Sequence, residues 1–289
     1  MKFLDRIFGP TLSPAWEISP GGVIWKLQPT AGGILAGEAR DVERRTMSLF
    51  AIEHRSGVLL FKDRVLEEPW WIALEMTIGE IAILHRYPRP DLPNALGAVA
   101  IDAATGELLW ENAALRIICG LEEVALAQHG ESIDSPSLLF VDLRSGATIE
   151  EIEDIGRARA FQALCNDAEG IAGWTSSEEV EPSSSEGRAI MTTAGIKPEE
   201  VRGAIETAEH GAFTVASLHV RSRRSANAML AGRVDNILLV IHDGRILYRE
   251  TAVPDAPAPS SDLFFIWDDV VIFIREGHTI VGMQLKIEN

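Results

Sequence analysis

Cysteine is nearly absent: Cys119 and Cys165 are the two in 289 residues. With no C-x-x-C and no metal-type spacing, a disulfide framework and a zinc knuckle are both excluded, and both thiols are expected reduced within strand or helix. Basic residues are scarce as well. There are 26 against 43 acidic ones, a net charge of -17 that repels phosphate backbones and anionic membrane surfaces. Nucleic acid is therefore not an expected partner. Long apolar runs are missing too. The opening MKFLDRIFGPTLSPAW carries Asp5, Arg6 and Gly9 where a signal peptide needs an apolar core, and no later run approaches the roughly 20 residues of a membrane span. These absences lead us to expect a cytoplasmic chain with no membrane insertion.

Catalytic signatures are missing in the same way. The histidines at 54, 85, 129, 210, 219, 242 and 278 stand singly, without H-x-H or H-E-x-x-H spacing. No G-x-S-x-G elbow is found, and the Gly-rich strings LQPTAGG and GGILAG lack the Lys-Ser/Thr ending of a phosphate loop. The carboxylate neighbours Glu67 and Glu68, Glu122 and Glu123, and Asp268 and Asp269 diverge if they lie on strands, so none is read as an acid and base pair. We expect no metal and no cofactor.

What is present is a recurring phrase. An apolar strand ends in a polar turn with glycine and resumes at once as another strand: SLFAIEHRSGVLLFKD (48–63), GAVAIDAATGELLWEN (97–112), LLFVDLRSGATIEEI (138–152) and NILLVIHDGRILYRE (236–250). Each reads as a hairpin, with Gly57, Gly106, Gly146 and Gly244 supplying the positive φ of the turn. The first three turns recur at intervals of 49 and 40 residues, the period of propeller blades. Extending outward from each hairpin recovers four strands per unit. The expected fold is an all-β propeller of about five four-stranded blades in one domain, 1–289. The last unit, DLFFIWDD, VVIFIREG and HTIVGMQLKI, has only three strands, and LSPAWEIS near the N-terminus is expected to complete it and close the sheet edge. Residues 154–199 break the pattern. RARAFQALCND favours helix, WTSSEEVEPSSSEG reads as a polar loop, and KPEEVRGAIETAEHG is open to a short helix. A partly helical insertion is expected there; a degenerate blade within it would make six. VPDAPAPSSD (253–262) is expected as a stiff, exposed link.

The phrase AIDAATGELLWEN resembles the blade motif of quinoprotein-type propellers, with Phe61, Ile149 and Tyr248 near the Trp110 position in the other copies. The chain is also similar to an uncharacterised bacterial domain family with a quinoprotein-like propeller fold, through GGVIWKLQP, LEEPWWIALE (66–75) and DLFFIWDDVVIF. That resemblance implies an architecture and no activity. Quinone-dependent propeller enzymes are larger and often carry adjacent cysteines, which this chain lacks. Trp25 and Trp110 are accordingly expected to pack between blades.

The most unusual local composition is EEPWW. On a strand Trp70 and Trp71 face opposite sides, so one ring can enter a blade interface while the other lies near the channel mouth, where Glu75, His85 and Arg86 are also candidates. Inter-blade packing and a ligand or partner pocket both remain open. His85 with Arg86 and Arg89, and His219 with Arg221, Arg223 and Arg224, form two small basic spots. Two functions compete: a non-enzymatic scaffold for another protein, and a small-molecule binder or enzyme with its site at the channel mouth.

Overall fold

The computed structural model describes residues 11–87, 95, 97–130, 137–167, 170–222 and 232–287. It is an all-β chain of five antiparallel sheets, each a four-strand propeller-type blade, two of them extended by a fifth short strand. The contacts divide it into two compact units, one of residues 20–54 and 58–172, the other of residues up to Ser19, the turn Arg55–Gly57 and the chain from Gly173 onward.

The unit built on residues 20–172 holds three blades. After β1 (Trp16–Ile18), blade 1 runs β2 (Val23–Pro29), β3 (Ile34–Asp41), β4 (Thr46–Glu53) and β5 (Leu59–Arg64). Blade 2 runs β6 (Ile72–Ile78), β7 (Ile81–Arg86), β8 (Ala98–Asp102) and β9 (Leu108–Asn112). Blade 3 runs β10 (Leu115–Leu121), β11 (Val124–His129), β12 (Ser137–Asp142) and β13 (Thr148–Ile152). Strand periodicity sorts the core. On β7, Ala82 and Leu84 face blade 1 with its Ala36, Met47 and Leu49, while Ile81 and Ile83 face blade 3 with its Leu115 and Ile117. Both surfaces of blade 2 are thus apolar, and each fully buried Ile or Leu contributes about 1.5–3 kcal/mol.

The expected glycine turns join the blades. The Gly146 turn of blade 3 lies under the Trp110 ring of blade 2, where a β-carbon would come within 2.6 Å of the indole, and the indole nitrogen donates to Leu143 O at 2.7 Å. The Gly106 turn meets the Phe61 ring of blade 1 in the same way, a β-carbon there lying 3.0 Å from the ring. Glycine is needed at Gly146 twice over, for this close approach and for φ +69°. The aromatic sits four residues after the glycine, and in blade 3 that place belongs to Glu150. Its carboxylate pairs with Arg157 of helix α1 (Ile155–Asp167). This helix covers the outer face of blade 3, its Phe161 ring 4.9 Å from Phe140 and its Cys165 buried in one cluster with Cys119. Neither cysteine is in a disulfide.

In the other unit, blade 4 runs β16 (Ile205–His210), β17 (Phe213–Arg221), β18 (Val234–His242) and β19 (Arg245–Ala256), and the last blade runs β20 (Phe264–Trp267), β21 (Val270–Arg275) and β22 (Thr279–Gln284). As expected, the N-terminal strand completes the last blade: β1 pairs antiparallel with β22, Trp16 opposite Gly282. The Trp16 ring also lies on Gly57 of the Arg55–Gly57 turn, which belongs to this unit. Arg55 in that turn bonds Asp268 at 2.6 Å. The two sheets pack through Val215, Leu238, Val240, Ile266, Val271 and Phe273.

The insertion holds no sixth sheet among the described residues. WTSSEEV, expected as loop, forms β14 (Trp174–Ser176) and β15 (Glu178–Val180), which add to β20 and β16 respectively. One continuous stretch therefore stitches the first strands of two successive blades. Helix α2 (Ser185–Ala194) follows, capped by Ser184 accepting from Gly187 N and ended by Gly195 at φ 64°. Its Ile190, Met191 and Ala194 cover the free face of blade 4. KPEEVRG makes only a single helical turn, Pro198–Glu200. VPDAPAPSSD is not all linker, because β19 continues through Ala256.

Candidate functional site

Face-to-face sheets share no backbone ladder, so polar side chains on the second strand of a blade reach the next blade's first strand. On β3, Glu38 is fully buried and accepts the Leu74 amide at 2.8 Å. Arg40 is ion-paired with Glu38 and donates to Ile72 O at 3.0 Å and Trp70 O at 3.3 Å. His85, at the β7 place matching Arg40, accepts the Ile117 amide of β10 at 3.0 Å through Nε2. In blade 4, Glu206 accepts from Asp262 N at 2.6 Å and His219 from Ser260 N at 3.3 Å. These staples give hydrogen-bond partners to buried polar atoms that no backbone ladder reaches.

His85 is accordingly 2% exposed. Its pKa falls to about 4, chiefly through burial, with Glu75 opposing and Arg116 and Lys26 adding to the fall. The Nε2 lone pair is engaged by a backbone N–H, which fixes a neutral ring. Arg86 pairs with Glu111 of β9, across the intervening β8, at 2.8 Å. Glu75 is the extra residue of a β-bulge between Leu74 and Met76. Its backbone oxygen accepts from Lys26 Nζ at 2.7 Å. Burial first, and then the Glu75 and Glu38 carboxylates, push the Tyr87 hydroxyl above its usual range, and Glu75 accepts a hydrogen bond from it. Lys26, Glu75, Tyr87 and His85 thus form one polar neighbourhood on blades 1 and 2.

The tryptophans form a second group. Trp25 is the extra residue of a bulge in β2, between Ile24 and Lys26, and this is what turns it outward. It was expected to pack between blades; instead it is 62% exposed. Of these two expected packing residues, Trp110 takes that role. The Arg40 guanidinium lies 5.3 Å from the Trp25 ring centre and 5.1 Å from that of Trp70, a cation held between two indoles. Glu68 Oε1 accepts both the Trp70 and the Trp71 amides, at 2.9 and 2.8 Å. Trp71 O accepts Tyr87 N at 2.8 Å, and the Trp71 ring is 43% exposed. Of the sequence candidates, Trp70 lies against Arg40, Trp71 follows it with its amide on Glu68, Glu75 and His85 lie in the polar neighbourhood, and Arg86 has its own ion pair. Trp25, Arg40 and Glu38 escaped the sequence reading as site residues. The acid and base two apart in GEARD was the available signal.

The two basic spots fall partly outside the described residues. His85 and His219 are buried staples on strands, and Arg89, Arg223 and Arg224 lie outside the described residues. Among the described residues no group of three or more His, Cys, Asp or Glu side chains is arranged to hold a metal ion, and no helix is long and apolar enough to cross a membrane.

The sheets define an all-β protein of propeller-type blades. Residues 30–110, which carry Arg40, the two adjacent tryptophans and His85, match the model of a family described as a domain of unknown function (DUF4905). The resemblance to an uncharacterised domain family is thereby found over those residues. A comparison with curated proteins gives no match. Among solved structures, BamB from Moraxella catarrhalis aligns over 94% of this chain and 88% of its own at 11% identity and a TM-score of 0.35. A europium-containing methanol dehydrogenase aligns over 96% of this chain and 53% of its own at 10% identity and a TM-score of 0.27.

Proposed function

We propose that this protein is a non-enzymatic propeller scaffold that binds another protein through the tryptophan platform of blades 1 and 2, acting in the cytoplasm with both cysteines as thiols. The observation that carries this reading is the pairing of exposed and fixed aromatics. Trp25 is 62% exposed, yet the Arg40 guanidinium between it and Trp70 is held by Glu38 and by the Ile72 and Trp70 oxygens, and the 43% exposed Trp71 has its amide clamped by Glu68. Exposed tryptophan beside arginine on a rigid frame is the composition of interface hot spots, because little side-chain freedom remains to be lost on binding. His85 speaks for binding over acid–base chemistry, since proton transfer at Nε2 would first break its bond to Ile117 N.

The test is native capture followed by crosslinking, with wild-type chain and a Trp25→Ala, Trp71→Ala variant of unchanged circular dichroism. The expected result is a partner held by the wild type and lost by the variant. The same set of proteins held by both would overturn the reading. A second reading, a small-molecule site, is favoured by the polar neighbourhood of Lys26, Glu75 and Tyr87. A metabolite that raises the melting temperature of the wild type, but not of Glu75→Gln, would favour it.

A further inference from the structure

Blade 4 buries a polar cluster that the scaffold reading does not use. We propose that Glu206, Ser217 and Asn236 form a site for a protonated amine, covered by the strap of residues 257–262.

Strand register brings the groups together. Glu206 stands opposite Ser217 on β17, and His219 of β17 stands opposite Asn236. Antiparallel partners share a face, as do residues two apart on one strand. The four side chains therefore make one patch, each at most 5% exposed, on the face that carries Ala208, Val215 and Val240. Asn236 Nδ2 donates to Ser217 Oγ at 2.7 Å. The strap lies over the patch through Ser260 N on His219 Nε2 at 3.3 Å and Asp262 N on Glu206 Oε1 at 2.6 Å.

Two observations ask for a cation that carries N–H donors. First, Asn236 Oδ1, on a side chain 1% exposed, has no hydrogen-bond partner among the described residues, and an unpaired buried acceptor is costly. Secondly, the Glu206 carboxylate is buried without a counter-ion. The charges that act on it are those of Asp262 and of Glu179, which stands opposite it on β15. Burial raises its pKa, and these two like charges add to the rise against the Asp262 and Leu263 amides. Arg202 spends its guanidinium on Glu199 O and Val201 O, and Arg221, two places beyond His219, is exposed; neither acts on Glu206. His219 adds no charge, since burial lowers its pKa and its Nε2 is an acceptor. An ammonium group donating to Glu206 and to Asn236 Oδ1 supplies the missing charge and the missing hydrogen bond together. A metal ion fits less well, because the described residues offer no group of three His, Cys, Asp or Glu side chains arranged to hold one.

The probe is methylammonium chloride added to the full chain in phosphate buffer at pH 8, with thermal unfolding as the readout. Tetramethylammonium chloride, which has the same charge and no N–H, and sodium chloride serve as controls at equal ionic strength. Methylammonium at about ten times its Kd should raise Tm by roughly 2–4 °C above either control. Glu206→Gln, which removes a buried charge and is checked for unchanged circular dichroism, should weaken methylammonium binding at least about tenfold. Asn236→Leu should weaken it as well with Glu206 still ionised. Affinity in the wild type should climb with pH while Glu206 ionises and then level off, a dependence that Glu206→Gln lacks. Equal shifts from all three salts would mean that only the net charge is being screened, and the inference would be wrong. A larger shift with sodium than with methylammonium, or a methylammonium shift retained in full by both variants, would also overturn it.

Discussion

Replacing Gly146 by alanine tests how the blades are joined. The residue has φ +69°, a conformation costing an L-residue about 1–2 kcal/mol, and its new β-carbon would meet the Trp110 ring at 2.6 Å. Overpacking of that kind adds about 1–3 kcal/mol. Gly146→Ala should therefore cost roughly 2–5 kcal/mol in all, by the same two principles. Trp110→Ala alone removes a ring that is 9% exposed and should cost about 3–5 kcal/mol. The two changes should not add. With the indole gone the clash disappears, and only the backbone term of about 1–2 kcal/mol remains for the second substitution. Urea unfolding followed by far-ultraviolet circular dichroism gives all four corners of the cycle. If Gly146→Ala costs the same in both backgrounds, within about 0.5 kcal/mol, then ring and turn do not press on one another and the proposed joint is wrong.

Other perturbations probe the staples. His85 has a folded pKa of about 4 against an ordinary 6.5. The unfolded chain therefore binds the extra proton between these values, so stability should fall as pH drops through that window, by up to about 3 kcal/mol; His85→Gln should flatten this limb in urea midpoints measured from pH 7 to 4. Burial raises the Glu206 pKa, against the Asp262 and Leu263 amides that lower it, so its charged form opposes folding. Glu206→Gln should raise the melting temperature more at pH 8 than at pH 5, and a decrease at both would refute this. Glu38→Ala strands Arg40 and frees the Leu74 amide, costing about 3–5 kcal/mol in chemical unfolding. Ser184→Ala removes the cap of α2 and should cost about 1 kcal/mol, with the loss confined to hydrogen exchange around blade 4.

The hairpins were legible because their signal is local: alternation on strands such as Ala98–Asp102, a turn glycine, and an aromatic four residues on. The pairing of β1 with β22 was legible from a missing strand. The insertion was harder. WTSSEEVEPSSSEG read as loop by composition, since tertiary contact with β16, β20 and the apolar face of blade 4 provides what its propensity does not. At the Trp110 place of blade 3 stands Glu150, one residue beyond the Ile149 that the repeat suggested. Trp25 misled because a bulge reverses the side a strand residue faces, and nothing local announces a bulge.

The last blade draws on three stretches of chain: Trp16–Ile18, Trp174–Ser176 and Phe264–Gln284. During synthesis the first two emerge long before the strands that receive them, since β1 waits for β22 across more than two hundred and sixty residues. Blades 1 to 3 draw on successive segments and can order themselves as they leave the ribosome. The C-terminal sheet is expected to fold late and slowly, with β1 and β14 as unpaired edges in the interval, and a nascent chain arrested before β22 should expose both to protease.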